Sequence, residues 1–352
     1  MVPYLSNRHK KVLFLSLSGI GNFLMQAPTW HAIKKVRPDY HVTVWVAPRG
    51  TSQLAEADPH IDHVIEGPIK NSLLGHLRAT ARLRRQHFDV GFALSPGQLI
   101  KSAAYLYLAG IPRRIGHAYP LGSKPHSRFL LTDTFDEDDK LHDVEQNLRL
   151  LEPLGIKPKP GEGDYQLNIP SKNQQEAQEI IRYNVISRDR KLIGLHPGSA
   201  PSFLWKRWPL ANFAAVGQAL IIKNNAHILI FGGPDEQVLK EKLKAALGEH
   251  STIINTHLLT TAALMQQCQF VLANDSGLMH LAAASETRVF GLFGPTNERH
   301  VGPRGVRSHV IRAPGTKPAY NTEKNFNFGP LPHRTILAIT PEQVLDKILR
   351  VV

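Results

Sequence analysis

The chain has 352 residues, more than one hydrophobic core usually supports, so two domains are expected. With 42% hydrophobic and 20% charged residues it has an ordinary globular composition, which excludes a disordered chain, and no run is long and apolar enough to span a membrane. A formal charge of +13 calls for an anionic partner. The basic residues are dispersed, with no aromatic-and-basic stripe or nucleic-acid module, so an anionic glycan or glycolipid at a membrane face fits better than nucleic acid.

Lys10-Lys11 before Val12 imitates a signal peptide, yet the apolar run breaks at Ser18-Gly19-Ile20-Gly21-Asn22 and reads as the first strand of a cytoplasmic protein. Short apolar runs then alternate with helix-length segments, the pattern of parallel sheets covered by helices. Strands are expected at residues 12–17, 41–46, 63–65, 90–94 and 114–116, and helices near 23–36, 72–86 and 100–109. A stretch rich in Pro, Gly and Lys between residues 152 and 171 marks a boundary, giving domains 1–165 and 166–352, with the last helix free to pack back on the first. After a helix at 173–183, strands follow at 192–195, 227–231, 252–255, 270–273 and 288–293, alternating with helices at 210–223, 237–246, 261–267 and 279–284. Ligands of such sheets bind at the carboxyl ends of the strands. The loops at His196, Gly233, Asp275 and Pro295 are therefore expected to line one wall of a central cleft, and those at 19–22, 95–98 and 116–119 the other. The single cysteine, Cys268, excludes an intramolecular disulfide and suits a reducing compartment.

The most informative stretch runs from Asn274 to Ala284. The apolar Phe270-Val271-Leu272 before it reads as a strand end, and Asp275-Ser276-Gly277 as a turn into a helix. Asp275 or Ser276 can cap that helix, and its free N–H groups and dipole attract an anion such as phosphate. A strand–turn–helix junction of this kind is also common without a ligand.

This stretch, the run from Ile193 to Ser199 with His196-Pro197-Gly198, Lys206-Arg207-Trp208-Pro209 and the run from Val289 to Asn297 together resemble glycosyltransferase family 9, the lipopolysaccharide heptosyltransferases. Val12 to Asn22, residues 88–94, residues 98–104, residues 113–117, His142 to Leu151 and Ile339 to Val344 follow in family order, so the likeness covers nearly the whole chain. It implies an α/β fold of the GT-B class, two Rossmann-like domains with parallel sheets facing a central cleft. It also implies an inverting, metal-independent transfer of a sugar, heptose by resemblance, from a nucleotide diphosphate donor such as ADP-heptose. The acceptor would be a lipopolysaccharide core or other anionic glycan, reached by a monomer in peripheral contact with the cytoplasmic membrane face.

The resemblance assigns donor and diphosphate binding to His196, Gly198, Ser199, Lys206, Glu236, Asp275, Ser276, Gly277 and His280, and the acceptor-side loop to Gly19, Gly21, Asn22 and Gln98. Blander roles stand beside these: a solvated surface lysine for Lys206, a helix cap for Glu236 or Asp235, and a core histidine for His280. A basic side chain and helix N-termini suffice for the leaving diphosphate, so no metal or other cofactor is expected, and pairings such as His117 with His126 lack ligand spacing. Asn22 stands where the family carries an aspartate base, and a neutral amide cannot accept a proton. Either Asn22 positions the acceptor while another group is base, or the acceptor arrives sufficiently nucleophilic, or the chain binds nucleotide-sugar without transferring it. His117, His142 and Asp143 are the substitute bases, with His117 preferred because a histidine titrates near neutrality. An epimerase of the same architecture is a third reading, weakened by the lack of a carboxylate and histidine cluster.

Overall fold

The structure, a computed structural model, describes residues 10–47, 50–67, 72–97, 99–118, 128–159, 163–184, 189–318 and 328–352. Gln98, Tyr119 and His126 lie outside the described residues. The chain forms two units, Met1–Gly163 and Asp164–Val352.

In the first unit β1 (Lys11–Ser16), α1 (Ile20–Val36), β2 (His41–Val46), α2 (Thr51–Ala57), β3 (His63–Glu66) and α3 (Leu73–Arg84) precede β4 (Val90–Ala93), α4 (Leu99–Leu108), β5 (Arg113–Ala118), β6 (Asp133–Asp136) and α5 (Asp143–Arg149). The second unit continues with α6 (Ser171–Tyr183), β7 (Lys191–His196), α7 (Leu210–Asn224), β8 (Ala226–Ile230), α8 (Gln237–Leu247), β9 (Ser251–Ile253), α9 (Leu258–Gln266) and β10 (Phe270–Asn274). It ends with α10 (Gly277–Ala284), β11 (Val289–Leu292), α11 (Glu298–Val301), β12 (Ser308–Ile311), α12 (Arg334–Leu337) and α13 (Pro341–Leu349).

Every strand pairing is parallel, and the sheets run β3-β2-β1-β4-β5-β6 and β12-β11-β10-β7-β8-β9. In each unit the first strand sits in the middle and the order reverses beside it, between β1 and β4 and between β7 and β10. The crevice outside the carboxyl ends at such a reversal is where doubly wound sheets take their ligands. The inner strands are buried on both faces, as parallel sheets require. The run that imitates a signal peptide is β1, an inner strand. Among the described residues no helix is long and apolar enough to cross a membrane.

The terminal helix packs on the second unit. Val344 and Ile348 of α13 join the core formed by Phe213 and Val216 of α7 with Ile193, Ile228 and Leu272 of the sheet. Thr340 and Gln343 cap its first turn reciprocally, with Pro341 at the first helical position. Burying two aliphatic side chains there is worth about 3–6 kcal/mol. The edge strands β6 and β12 were not expected. Their sequences, Asp-Thr-Phe-Asp and Ser-His-Val-Ile, are mostly half-buried and carry little apolar signal.

Candidate active site

The β7/β10 switch point is knitted by side chains from both strands. Asn274, fully buried, donates to the carbonyls of Pro197 at 2.8 Å and Gly198 at 3.2 Å, and its Oδ1 accepts from Trp208 N at 3.0 Å. His196, at the end of β7, reaches Glu236 Oε2 at 3.2 Å through Nε2 and Ser276 Oγ at 3.0 Å through Nδ1. An ionised carboxylate only accepts, so Nε2 carries the proton and, in the neutral ring, Nδ1 accepts from the Ser276 hydroxyl. Ser276 is the cap of α10 and accepts from Met279 N at 3.4 Å. Asp275, beside it, is left to bind Lys206.

Lys206 Nζ donates to Asp275 Oδ2 at 2.7 Å and lies 5.0 Å from the centre of the Phe203 ring. The same carboxylate oxygen accepts from Thr296 Oγ1 at 2.6 Å. A surface role for Lys206 is thereby set aside: its side chain is 14% exposed and its ammonium is held at the strand ends. Arg207 donates to Ser199 Oγ at 3.2 Å and to the Ser199 carbonyl at 2.5 Å, so it locks the loop after β7. Ser199 Oγ in turn donates to the Phe203 carbonyl at 2.9 Å.

Glu236 takes the capping role foreseen for it and pairs with His196. Its Oε2 accepts from Gly233 N at 2.9 Å, tightening the turn before α8, while Oε1 lies 3.6 Å from Arg207. Burial alone would raise its pKa, but His196, the Gly233 N–H and Arg207 outweigh burial and hold the carboxylate below its usual range. Gly198 explains the His-Pro-Gly sequence: a Cβ there would stand 1.7 Å from Glu236 Oε1. Only a residue without a side chain lets that carboxylate reach His196.

Three groups essential to this arrangement escaped sequence reasoning. Asn274 had only its place at the end of a strand as a signal. Thr296 is brought to Asp275 by Arg312, which bonds the Gly294 and Thr296 carbonyls and Glu298. Lys240, 1% exposed, donates to the Gly232 carbonyl at 3.1 Å and to Asn255 Oδ1, fixing the loop after β8. His280 lies deeper, within electrostatic reach of Asp275 and Lys206. It is buried in α10, its Nδ1 shares a hydrogen bond of 2.9 Å with the Tyr165 hydroxyl, and burial lowers its pKa to about 4.

The first unit has its own knitted switch point. The Pro96 carbonyl, after β4, accepts from Ser18 Oγ at 3.2 Å, Asn22 Nδ2 at 3.2 Å and Gln26 Nε2 at 3.3 Å. Asn147 clamps Ser95 from the other side, accepting from its N–H at 2.9 Å and donating to its carbonyl at 2.5 Å. Gly19 and Gly21 form the start of α1, where a Cβ on Gly19 would meet nothing within 4 Å. Asn22 is half-buried, with its amide N–H donated to Pro96.

None of the substitute bases faces solvent. His117 is fully buried inside the sheet, Nε2 donates to the Gln146 carbonyl at 3.1 Å, and burial with Arg149 nearby lowers its pKa to about 4. It cannot meet an acceptor hydroxyl from there, which corrects the preference for it. His142 spends Nδ1 as the cap of α5, accepting from Val144 N at 3.1 Å. Asp143 is buried with Oδ2 lacking a hydrogen-bond partner, and burial followed by Glu137 and Glu145 pushes its pKa well up. Asp136-Glu137-Asp138, an Asp-x-Asp spacing, starts at the last residue of β6. Asp136 pairs there with Arg128 at 3.0 Å, and Asp138 caps Lys140 N at 3.0 Å.

The family model for glycosyltransferase family 9 (heptosyltransferase) matches residues 76–330, well over half of the chain. The chain belongs to this family. It is accordingly a glycosyltransferase with two Rossmann-like units of the GT-B class. It is 26% identical to the lipooligosaccharide heptosyltransferase 2 of Haemophilus influenzae, over 96% of this chain and 98% of that one. It is 25% identical to the lipopolysaccharide heptosyltransferase 2 of Escherichia coli K12, over 96% and 97%. In fold it is similar to a family 9 glycosyl transferase of Veillonella parvula, with a TM-score of 0.81, 22% identity and coverage of 99% and 98%. It is also similar in fold to E. coli ADP-heptose lps heptosyltransferase II, with a TM-score of 0.75, 24% identity and coverage of 97% and 98%.

Proposed function

We propose that this family 9 enzyme transfers a heptose from ADP-heptose to a lipopolysaccharide-core or similar anionic glycan, with inversion at the anomeric carbon and without a metal. The observation that carries this reading is the Lys206–Asp275 pair at 2.7 Å beside the His196–Glu236 pair at 3.2 Å, both at the β7/β10 switch point. As the anomeric C–O bond breaks, negative charge gathers on the departing diphosphate. Lys206 has three N–H donors and gives one to Asp275, so two remain for phosphate oxygens. The start of α10, capped by Ser276 and opened by Gly277, adds backbone donors. Glu236, ionised at neutral pH, accepts the ribose hydroxyls. The printed names of the relatives, heptosyltransferases of lipopolysaccharide and lipooligosaccharide, support the sugar and the acceptor class. A solved relative, E. coli heptosyltransferase WaaC, is described with ADP, which supports the base.

On the first unit, Asn22 Oδ1 orients the acceptor hydroxyl, and the proton that this hydroxyl loses as the new glycosidic bond forms passes to water. The exposed face of α3 carries Arg78, Arg82 and Arg84 beside Leu74 and Leu77, which suits an anionic glycolipid at the cytoplasmic membrane face. Calorimetric titration with ADP, GDP, UDP and dTDP in the absence of metal tests the donor site. ADP is expected to bind selectively, and Lys206→Ala to weaken it at least tenfold while circular dichroism stays unchanged. Equal binding of all four, or unchanged affinity in the variant, would overturn the donor assignment. Tight binding with no product from ADP-heptose and a lipopolysaccharide-core acceptor would leave a binding protein without transfer activity.

A further inference from the structure

A second cluster of chemistry lies in the first unit, away from the switch point. His31 sits deep in α1, and Asp58 and His60 in the turn that links α2 to the amino end of β3. His31 Nε2 is 2.7 Å from Asp58 Oδ2, His60 Nδ1 is 3.0 Å from Asp58 Oδ1, and the two imidazole rings are 4.3 Å apart. One ligand atom from each of the three lies within 4.8 Å of the others. From the juxtaposition of two imidazoles and one carboxylate we infer that His31, Asp58 and His60 form a binding site for a divalent first-row transition ion, with Zn²⁺ as its natural probe.

The chemistry and the surroundings agree. Two imidazole nitrogens and a carboxylate oxygen are the ligand types zinc takes, with a fourth position left for water. The carboxylate is already oriented by donors that are not ligands: Trp30 Nε1 at 2.8 Å and the His60 backbone N–H at 2.9 Å. Such outer partners are what hold a metal-binding carboxylate in register. Pro59 stiffens the two-residue step from Asp58 to His60. His60 is 34% exposed, which gives an ion a way in, while His31 and Asp58 are nearly closed off at 11% and 9%. The ion replaces the protons now shared between imidazoles and carboxylate, and ties α1 to a turn 27 residues further along the chain. Its position at the edge opposite Asn22 makes it a structural clamp with no part in sugar transfer.

The test uses untagged protein, a chromophoric chelator competing for Zn²⁺, and metal analysis after gel filtration. The variants are His60→Ala, at a half-exposed position, and Asp58→Asn, which keeps shape and still accepts from Trp30. The expected result is one Zn²⁺ per wild-type chain, at least tenfold weaker in each variant, with a zinc-dependent rise in melting temperature that both variants lose. A wild-type chain that retains no Zn²⁺, or variants that bind as tightly as wild type, would reduce the cluster to a hydrogen-bonded tie between α1 and the turn and overturn the inference.

Discussion

Replacing Gly198 with alanine tests the donor loop through a single methyl group. The new carbon would stand 1.7 Å from Glu236 Oε1 and 2.2 Å from its Cδ, so the buried carboxylate must swing away. It then gives up the Gly233 N–H bond at 2.9 Å and the His196 bond at 3.2 Å. Hydrogen bonds to charged groups contribute about 1.5–3 kcal/mol each, and with part recovered from water a net loss of ~3 kcal/mol is expected. For a domain of this size that corresponds to a melting temperature lower by roughly 6–12 °C. Scanning calorimetry of Gly198→Ala, Glu236→Ala and the double variant closes the cycle. With the carboxylate already removed, the methyl group enters open space and its cost falls below about 0.5 kcal/mol. ADP affinity should follow the same cycle, because both substitutions act on one side chain. If Gly198→Ala costs as much without Glu236 as with it, the clash is not what the glycine avoids, and the account of the His-Pro-Gly loop is refuted.

Asn22→Asp leaves the Pro96 carbonyl served by Ser18 and Gln26, and puts a carboxylate at the position proposed to meet the acceptor hydroxyl. Because a positioned base contributes about 10²–10⁴-fold, kcat in a transfer assay should rise at least tenfold, and an unchanged or lower kcat would place the base elsewhere. His280, at about 4 against ~6.5 in the unfolded chain, is neutral in the fold where the unfolded chain binds a proton. Its contribution is present above ~6.5 and is lost as pH falls from there toward 4. Denaturant midpoints for His280→Gln should therefore fall less steeply than wild type between pH 7 and 4.5, and an equal slope would contradict the buried placement. Asp143 has a raised pKa in the fold, so the stability it contributes at low pH is lost as pH rises through that value. Asp143→Asn should melt higher than wild type at pH 8 and no higher at pH 4.

How much was legible in the sequence varies with how local the cause is. The inner strands and long helices were readable because their apolar residues alternate with turn signals. β2 and the start of α7 fall at the expected residues, and α13 announces itself with Thr340, Pro341 and Gln343. The family motifs named Lys206, Asp275, Ser276, Glu236 and Gly198, whose local sequence is distinctive. β6 and β12 were not readable, since Asp-Thr-Phe-Asp and Ser-His-Val-Ile are short and mostly half-buried and take their strand form from the neighbour each pairs with, whereas the edge strands β3 and β9 fall at runs the sequence marked.

Partnership and burial belonged to the tertiary structure alone. The sequence supplied a histidine at position 117 and another at 280, but only packing decided that both are enclosed and held neutral. It supplied Asn22 in place of an acid, but only the fold turned its N–H toward the Pro96 carbonyl. His31 and His60 are separated by the last five residues of α1 and by β2 and α2, and no spacing rule joins them. The right-handed parallel crossover that brings α1 beside the turn before β3 sets them around Asp58.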